Sequence, residues 1–430
     1  MNEPIQHHLF FDDRLNYSSK NTFYYQGANF QLLDSFCDFI LERVNKISRI
    51  YVCFYLFNNP IVADMLANLS TKGISIKVVS IPLEGYDTTD PKDLLDKINR
   101  RIVEENVSKH SMAVKRYEKL SSGDYPNIDL FVFPHMYVRS KFIRPFSRGR
   151  LPYSLHTKSF YFEYKDGSGF YGLTSSNFAT RDLSKNELLI IKEGSASDNK
   201  VVKFFFEDLI ANSINYCNFD QEADYSAFRI DYKEAPSGAH TMFTAPFYSF
   251  SPSKLDEYLT RTLSSAKDRI LVCAQHISVN DGDGIFPRFI GSALEAANRG
   301  VTVAFLSQTH ADSESASKGR TTKNTKSFKA FLRLVEDTSG CHYYVNESVH
   351  DKYIVCDDTV IFTTHNYTPT QFAYVEEVNI ENFFHDPEYS YHGTFAEVGQ
   401  AIVVNSVDLS NQVALRMKEV CLDMNTIRKS

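Results

Sequence analysis

The sequence predicts an α/β protein made of two fused repeats, each a mostly parallel mixed sheet flanked by helices. Three observations lead there. The 430 residues exceed the size at which one hydrophobic core usually stops growing. Wholly apolar strands alternate with amphipathic helical patterns in the order of βαβ units. The same order then recurs half a chain later, and two occurrences at that length indicate a fused duplication and not a solenoid.

Residues 1–23 are polar and mixed and read as an N-terminal arm. The first half spans 24–235. From Phe30 to Val44, apolar Leu32, Leu33, Phe36, Phe39, Ile40 and Val44 recur at helical spacing. The run Ile50 to Leu56 is apolar on both faces and so belongs inside a covered sheet. A helix from Pro60 to Thr71, ended by Gly73, leads into a strand from Ile74 to Val79. The second half, 236–430, repeats this with a helix from Ser253 to Ala266, a strand from Arg269 to Cys273, a helix from Ile290 to Asn298 and a strand from Val301 to Leu306. Arg49-Ile50-Tyr51-Val52-Cys53 matches Arg269-Ile270-Leu271-Val272-Cys273, and Lys72-Gly73-Ile74 matches Arg299-Gly300-Val301. The junction is expected near Glu234 to Gly238, with a helix from Val201 to Ile214 closing the first half and residues 405–428 closing the second. Each half carries an insertion after its second strand: 84–150, charged and helical from Lys97 to Glu118, and the Ser/Thr-rich 309–330.

Composition narrows the classes. With 43% hydrophobic and 23% charged residues the chain is globular and not disordered. Its net charge of −7 excludes a globally basic nucleic-acid binder, so any such site must be a local patch. Seven cysteines show no paired C-x-x-C spacing for zinc and read as reduced core residues. The N-terminus has neither a basic n-region nor an apolar h-region, and no apolar run reaches membrane-spanning length. A cytoplasmic protein without a transmembrane segment is expected.

Two stretches carry chemistry. One is His156-Thr157-Lys158, followed by Glu163 and by Thr174-Ser175-Ser176-Asn177. The other is His350-Asp351-Lys352, followed by Asp357 and by Thr363-Thr364-His365-Asn366. Residues i and i+2 of a strand share a face, so each His projects beside its Lys. Lys supplies charge, the Asn amide donates a hydrogen bond, and imidazole acts as nucleophile or acid–base: a set suited to holding and attacking a phosphate. A single His-x-Lys is commonplace, and an isolated Asp or Asn is ordinarily a turn residue. The signal is that the whole set occurs twice, at matching places in two repeats. Each set is followed by a carboxylate heading an apolar run: Glu187 before Leu188 to Ile191, and Glu377 before Val378 to Ile380, with Glu376 as the alternative.

The pattern resembles the phospholipase D superfamily, whose signature is H-x-K-x4-D followed by a small-residue turn ending in Asn. His350 to Asp357 matches without departure; the first copy has Glu163 for Asp and a longer hairpin, 21 residues from His156 to Asn177 against 16 from His350 to Asn366. The resemblance implies that the halves form a pseudo-twofold dimer with one site at their interface, and a metal-independent phosphodiesterase that forms a phosphohistidine, with no cofactor. It implies His156 as nucleophile and His350 as general acid, the reverse being allowed by symmetry. Lys158, Lys352, Asn177 and Asn366 stabilise the phosphorane, Glu187 and Glu377 orient the imidazoles, and Glu163 and Asp357 pin the hairpins.

The family includes nucleases and lipid enzymes, so the fold does not choose the substrate. Basic residues beside both motifs, Arg139, Lys141, Arg144, Arg148 and Arg150 in one insertion and Lys318, Arg320, Lys323, Lys326 and Lys329 in the other, form a funnel for a phosphate backbone. Tyr137, Phe142, Phe146 and Tyr153 are candidates to stack on unpaired bases. A DNA nuclease is therefore expected, and by analogy the effector part of a restriction or phage-defence system, with the 84–150 insertion gating access or docking a partner, and a regulatory protein or a second copy of the chain as the partner. The alternative is a phospholipase D or phosphatidyl-transferase; the absence of Trp for an interfacial belt speaks against it.

Overall fold

The first half is built from β1 (His7–Phe11), α1 (Gln31–Arg43), β2 (Ile47–Phe54), α2 (Pro60–Ser70), β3 (Ser75–Ser80), a helix α3 over 113–121, β4 (Ile128–Val132), β5 (Ser154–Leu155), β6 (Lys158–Tyr164), β7 (Gly169–Thr174), β8 (Leu188–Gly194), α4 (Ala196–Ala211) and β9 (Ile214–Asn215). The second half follows with β10 (Thr241–Thr244), α5 (Ser251–Ser264), β11 (Arg269–Ala274), α6 (Arg288–Asn298), β12 (Thr302–Ser307), α7 (Thr321–Glu336) and β13 (Cys341–Val345). It ends in β14 (Tyr353–Cys356), β15 (Thr359–Thr363), the single turn α8 (Pro369–Phe372), β16 (Glu397–Asn405), α9 (Val407–Leu422) and β17 (Ile427–Arg428). This computed structural model describes residues 6–12, 31–81 except 56 and 58, 113–133, 154–177, 185–219 except 195, 233–280 except 237 and 239, 284–308, 321–372 and 397–429.

The first sheet has the order β1-β8-β7-β6-β2-β3-β4-β9 and the second β10-β16-β15-β14-β11-β12-β13-β17, with β5 joining β16. Strand for strand the halves correspond, as the repeat predicts. The parallel part is smaller than expected. Only β2-β3-β4 and β11-β12-β13 pair in parallel within the sheets, and every other neighbour is antiparallel. The reason is the His-x-Lys hairpin, β6-β7 or β14-β15, which inserts antiparallel beside the βαβ core. His7–Phe11, within the expected arm, is an edge strand on β8. Inside the expected insertion, β4 is the third parallel strand, equivalent to β13; both alternate buried and half-exposed or exposed residues instead of running wholly apolar.

Local signals set the element ends. Asn59 caps α2 by accepting from the Ile61 and Val62 N–H groups at 2.8 and 3.1 Å, a contact worth about 1 kcal/mol. Pro60 opens that helix without losing a hydrogen bond. Gly73, at φ +81°, ends it.

Packing joins the halves. On one face of the first sheet Phe36 meets Phe160 and Phe162, with ring centroids 5.0 and 6.3 Å apart; on the other Tyr51 meets Tyr161 and Phe206 of α4 at 5.9 and 5.6 Å. One continuous buried cluster runs from the first half into the second, taking in Tyr353, Val355, Val360 and Phe362 and, from α9, Val413, Met417 and Val420. Burial of each such side chain contributes about 1.5–3 kcal/mol, so separating the halves would be costly. A second cluster lies between the second sheet and α5, α6 and α7. Among the described residues no helix is long and apolar enough to cross a membrane.

The backbone also crosses between halves at the site. Ser154 and Leu155 pair with Glu397 and Val398, and the His156 N–H donates to the Val398 carbonyl at 3.2 Å. Reciprocally Val349 bridges Asn186, and the His350 N–H donates to the Asn186 carbonyl at 3.2 Å. Each histidine is thus delivered to the strand head of the opposite repeat.

Candidate active site

Both His-x-Lys segments lie at the ends of β2 and β11 where those parallel strands finish. Phe54, the last residue of β2, pairs with Lys158, and Cys273 pairs with Tyr353. Lys158 and Lys352 are buried, and each donates from Nζ to the carbonyl of its own histidine, at 2.9 and 2.7 Å. That bond fixes the ammonium beside the ring and leaves two further N–H groups on each ammonium to complete its shell. The two sets form one electrostatic unit: burial first, then Lys158, Lys352 and His350, hold the His156 imidazole well below its ordinary pKa. His156 is therefore a neutral ring at neutral pH. Asn366 is buried and its Oδ1 accepts from the His276 N–H at 3.1 Å, while Asn177 is half-buried.

The histidines differ in what holds Nδ1. For His350 it is the Glu187 carboxylate, at 2.6 Å, from the other repeat. Glu187 is itself fixed by the Ser175 hydroxyl, which donates to it while accepting from the Leu188 N–H at 2.9 Å. A carboxylate on Nδ1 stabilises positive charge on the ring, the arrangement of a general acid. For His156 the partner is the Thr364 carbonyl at 3.0 Å; since a carbonyl only accepts, Nδ1 carries the proton and Nε2 the lone pair. The Glu397 carboxyl stands further off, 3.4 Å from that Nδ1. Burial pushes Glu397 up to about 8, with Lys158 and Lys352 offsetting only part of the effect.

Glu397 was not among the expected residues. Glu377 and Glu376 lie outside the described residues, and it is Glu397, at the head of β16, that faces His156. Glu397 does head an apolar run, but Gly399 and Gln400 interrupt that run and disguise its likeness to Leu188 to Ile191. Tyr55, also not expected, sits beside His156 with ring centroids 6.1 Å apart. Its repeat equivalent is Gln275, whose amide donates to Gln308 at 3.0 Å, so the two walls differ in polarity.

Residues 259–392 match the family described as "Cardiolipin synthase, PLD-like domain", a stretch that contains the whole second motif from His350 to Asn366. The fold is shared with phosphatidylserine synthase from Haemophilus influenzae (TM-score 0.53, 12% identity, 91% of this chain and 85% of that one). The chain thus carries a phospholipase D-like domain over residues 259–392, and beyond that stretch the likeness is one of fold. It also superposes on polyphosphate kinase from Porphyromonas gingivalis (TM-score 0.51, 9% identity, 96% of this chain), of which it spans half the length. Yeast tyrosyl-DNA phosphodiesterase gives a TM-score of 0.40 at 10% identity, over 84% of this chain and 83% of that one. At these identities the structural likenesses speak for the fold. No curated protein sequence matches the chain.

The acids that follow the two His-x-Lys segments, Glu163 and Asp357, have diverged. Asp357, at φ +50°, accepts from the N–H groups of Lys267, Asp268 and Arg269 at 2.9, 2.9 and 3.0 Å and ties the hairpin to the start of β11. Burial alone would raise its carboxyl, but these donors outweigh that and lower it. Glu163 cannot do the same. The longer β6-β7 hairpin turns at 165–168, which leaves Glu163 within β6, paired with Arg49 at 3.3 Å and Lys203 at 2.8 Å. Neither touches the histidines. Of the expected substrate-binding residues, Arg139, Lys141, Arg144, Arg148, Arg150, Lys318 and Arg320 lie outside the described residues, as do the Lys323 and Lys326 side chains; Lys329 is exposed on α7. Tyr137, Phe142, Phe146 and Tyr153 also lie outside the described residues.

Proposed function

We propose that the chain is a metal-independent phosphodiesterase working through a phosphohistidine on His156, with DNA as its substrate. The observation that carries the reading is the pair of unlike histidine partners: on His156, kept neutral by burial and the two lysines, a carbonyl takes the Nδ1–H and leaves the lone pair on Nε2, whereas a carboxylate supports charge on His350. His156 Nε2 attacks phosphorus; a P–N bond forms, the P–O bond to the leaving group breaks, and His350 gives its proton to the departing oxygen. His350, now neutral, then takes a proton from water, whose oxygen attacks phosphorus and breaks the P–N bond. Lys158, Lys352, Asn177 and Asn366 stabilise the charge on the non-bridging oxygens in both steps.

DNA is favoured by the basic residues beside both motifs in a chain of net charge −7. Tyr55 beside His156 supplies an aromatic face for a base. A defence role with a gating partner follows from the same reading, since an open nuclease endangers its own cell. Phospholipid is the competing substrate, supported by the description of the matching family and by the fold shared with phosphatidylserine synthase. Incubation of the full chain with plasmid, single-stranded DNA, RNA and anionic phospholipid vesicles, each with and without EDTA, separates these. EDTA-resistant DNA cleavage is expected. Loss of cleavage in EDTA would contradict the mechanism, and lipid turnover without DNA cleavage would contradict the substrate.

A further inference from the structure

The two repeats can be matched atom by atom around the site. The Leu188 N–H donates to Ser175 Oγ and the Gln400 N–H to Thr364 Oγ1, at 2.9 and 3.0 Å. Ser175 therefore corresponds to Thr364 and Leu188 to Gln400. One residue before the latter pair, Glu187 corresponds to Gly399; one residue after the former, Ser176 corresponds to His365. The first repeat has a carboxylate beside a small residue, and the second has a glycine beside a histidine. The exchange is steric, because a Cβ at 399 would fall on the His365 ring and against Thr364 Oγ1. Glu397, which approaches His156, comes from two residues earlier on β16 than the position of Glu187.

His365 is buried, and its Nε2 lies 2.7 Å from Thr244 Oγ1. The Thr244 hydroxyl proton goes to the Glu397 carbonyl at 2.7 Å, so Thr244 accepts from His365 Nε2–H. His365 Nδ1 has no hydrogen-bond partner among the described residues. Burial, then Lys158 and Lys352, lower this imidazole to about 3, so it cannot serve as a third proton donor near neutral pH. What remains is position. The carbonyl that takes the His156 Nδ1 proton belongs to the peptide joining Thr364 to His365.

We propose that His365 is a positioning residue for the nucleophile: anchored on Thr244 and wedged against Gly399, it sets the Thr364–His365 peptide so that a carbonyl, in place of the carboxylate used for His350, holds His156 Nδ1–H. The proposal rests on the phosphodiesterase reading for its kinetic consequence, but the tautomer it requires is independent of substrate. Around His156 the charged and titratable neighbours are Lys158, Lys352, His350, Glu397 and Tyr55, and none of them is changed by substituting residue 365.

The test uses the full chain labelled with 15N-histidine, the His156 signal being assigned by its loss in His156→Gln. Wild type should show His156 as a neutral Nδ1–H tautomer from pH 7.5 down to well below 6.5; an Nε2–H tautomer, or a charged ring at pH 7, overturns the proposal whatever the substrate. In parallel, hydrolysis of bis(p-nitrophenyl) phosphate is followed. His365→Ala should lower kcat by roughly 10–100-fold with KM nearly unchanged, because a misplaced reacting group costs rate and not binding. His365→Gln, whose Nε2 can still donate to Thr244, should recover most of the loss. Gly399→Ala should reproduce it, and the double variant His365→Ala/Gly399→Ala should be no worse than His365→Ala, since the two act on one contact. Unchanged kcat and pH profile in a folded His365→Ala, no recovery in His365→Gln, or additive losses in the double variant would each overturn it. If the wild type cleaves no phosphodiester, the enzymatic reading fails, and the His156 15N signal in a folded His365→Ala decides the role of His365: loss of the Nδ1–H tautomer is expected, and a signal unchanged from wild type overturns the proposal.

Discussion

The surroundings of His350 and His156 are the same backbone used twice with different chemistry. Each histidine is drawn to the strand head of the opposite repeat, and each has a lysine folded onto its own carbonyl. Then they part. His350 has a fixed carboxylate at 2.6 Å, whereas His156 has a peptide carbonyl at 3.0 Å with the raised Glu397 carboxyl behind it. A symmetric site would give both rings the same proton affinity, yet hydrolysis through a phosphohistidine needs one ring bare and the other charged. The difference teaches that duplication supplies convergence and that two local exchanges, Glu187 for Gly399 and Ser176 for His365, supply the unlike partners that the proposed division of labour calls for.

The comparison can be broken most sharply at its carboxyls. Glu187→Gln should lower kcat by on the order of 10²–10³, because the neutral amide no longer supports charge on His350. Glu397→Gln should cost only about tenfold or less, because the group it replaces is itself largely uncharged below pH 8. Steady-state kinetics of the two variants at pH 7 measure this, and equal losses would remove the asymmetry.

A smaller contrast lies in the motif acids. Asp357→Ala should destabilise by about 1–3 kcal/mol, since three backbone donors lose their acceptor and alanine must adopt φ +50°. Glu163→Ala, which removes two partly exposed ion pairs, should cost about 1 kcal/mol or less. Urea denaturation of both gives the ordering, and a larger cost for Glu163 would reverse the roles assigned to them.

The smallest effect is in pH dependence. The folded Glu397 carboxyl keeps its proton up to about 8, whereas an unperturbed one loses it near 4.5. Between those values the folded state binds more protons, so this group makes stability fall as pH rises through that window. Replacing it by Gln removes the slope. The Tm of Glu397→Gln minus that of wild type should accordingly be more positive at pH 8.5 than at pH 5, and a difference that shrinks with pH would show Glu397 to be charged.

Most of this was legible in the sequence where signals were local and repeated. The apolar runs of β2 and β11, the helix endings at Gly73 and Gly300, and the doubled His-x-Lys and Asn positions all recur in both halves. Three things were not legible. The strands β4 and β13 alternate instead of running apolar, and β4 sits in a charged stretch, so neither stood out. The carboxyl facing His156 follows Asn366 by 31 residues, whereas Glu187 follows Asn177 by 10, which made the nearer Glu377 the natural choice. The exchange at 399 and 365 is visible only once hydrogen bonds set the register, because neither a glycine nor a histidine announces a missing carboxylate.

The central claim is that His156 is the nucleophile and His350 the proton donor and later base. A p-nitrophenyl phosphodiester tests it directly, since its leaving group departs without a proton. Mixed rapidly with this substrate, His350→Ala should release about one equivalent of p-nitrophenol and then stall with the phosphoryl group bonded to His156, as attack survives but water is not activated. His156→Ala should give no burst and no labelled protein. A burst with covalent label in His156→Ala, and none in His350→Ala, would contradict the account by exchanging the two roles.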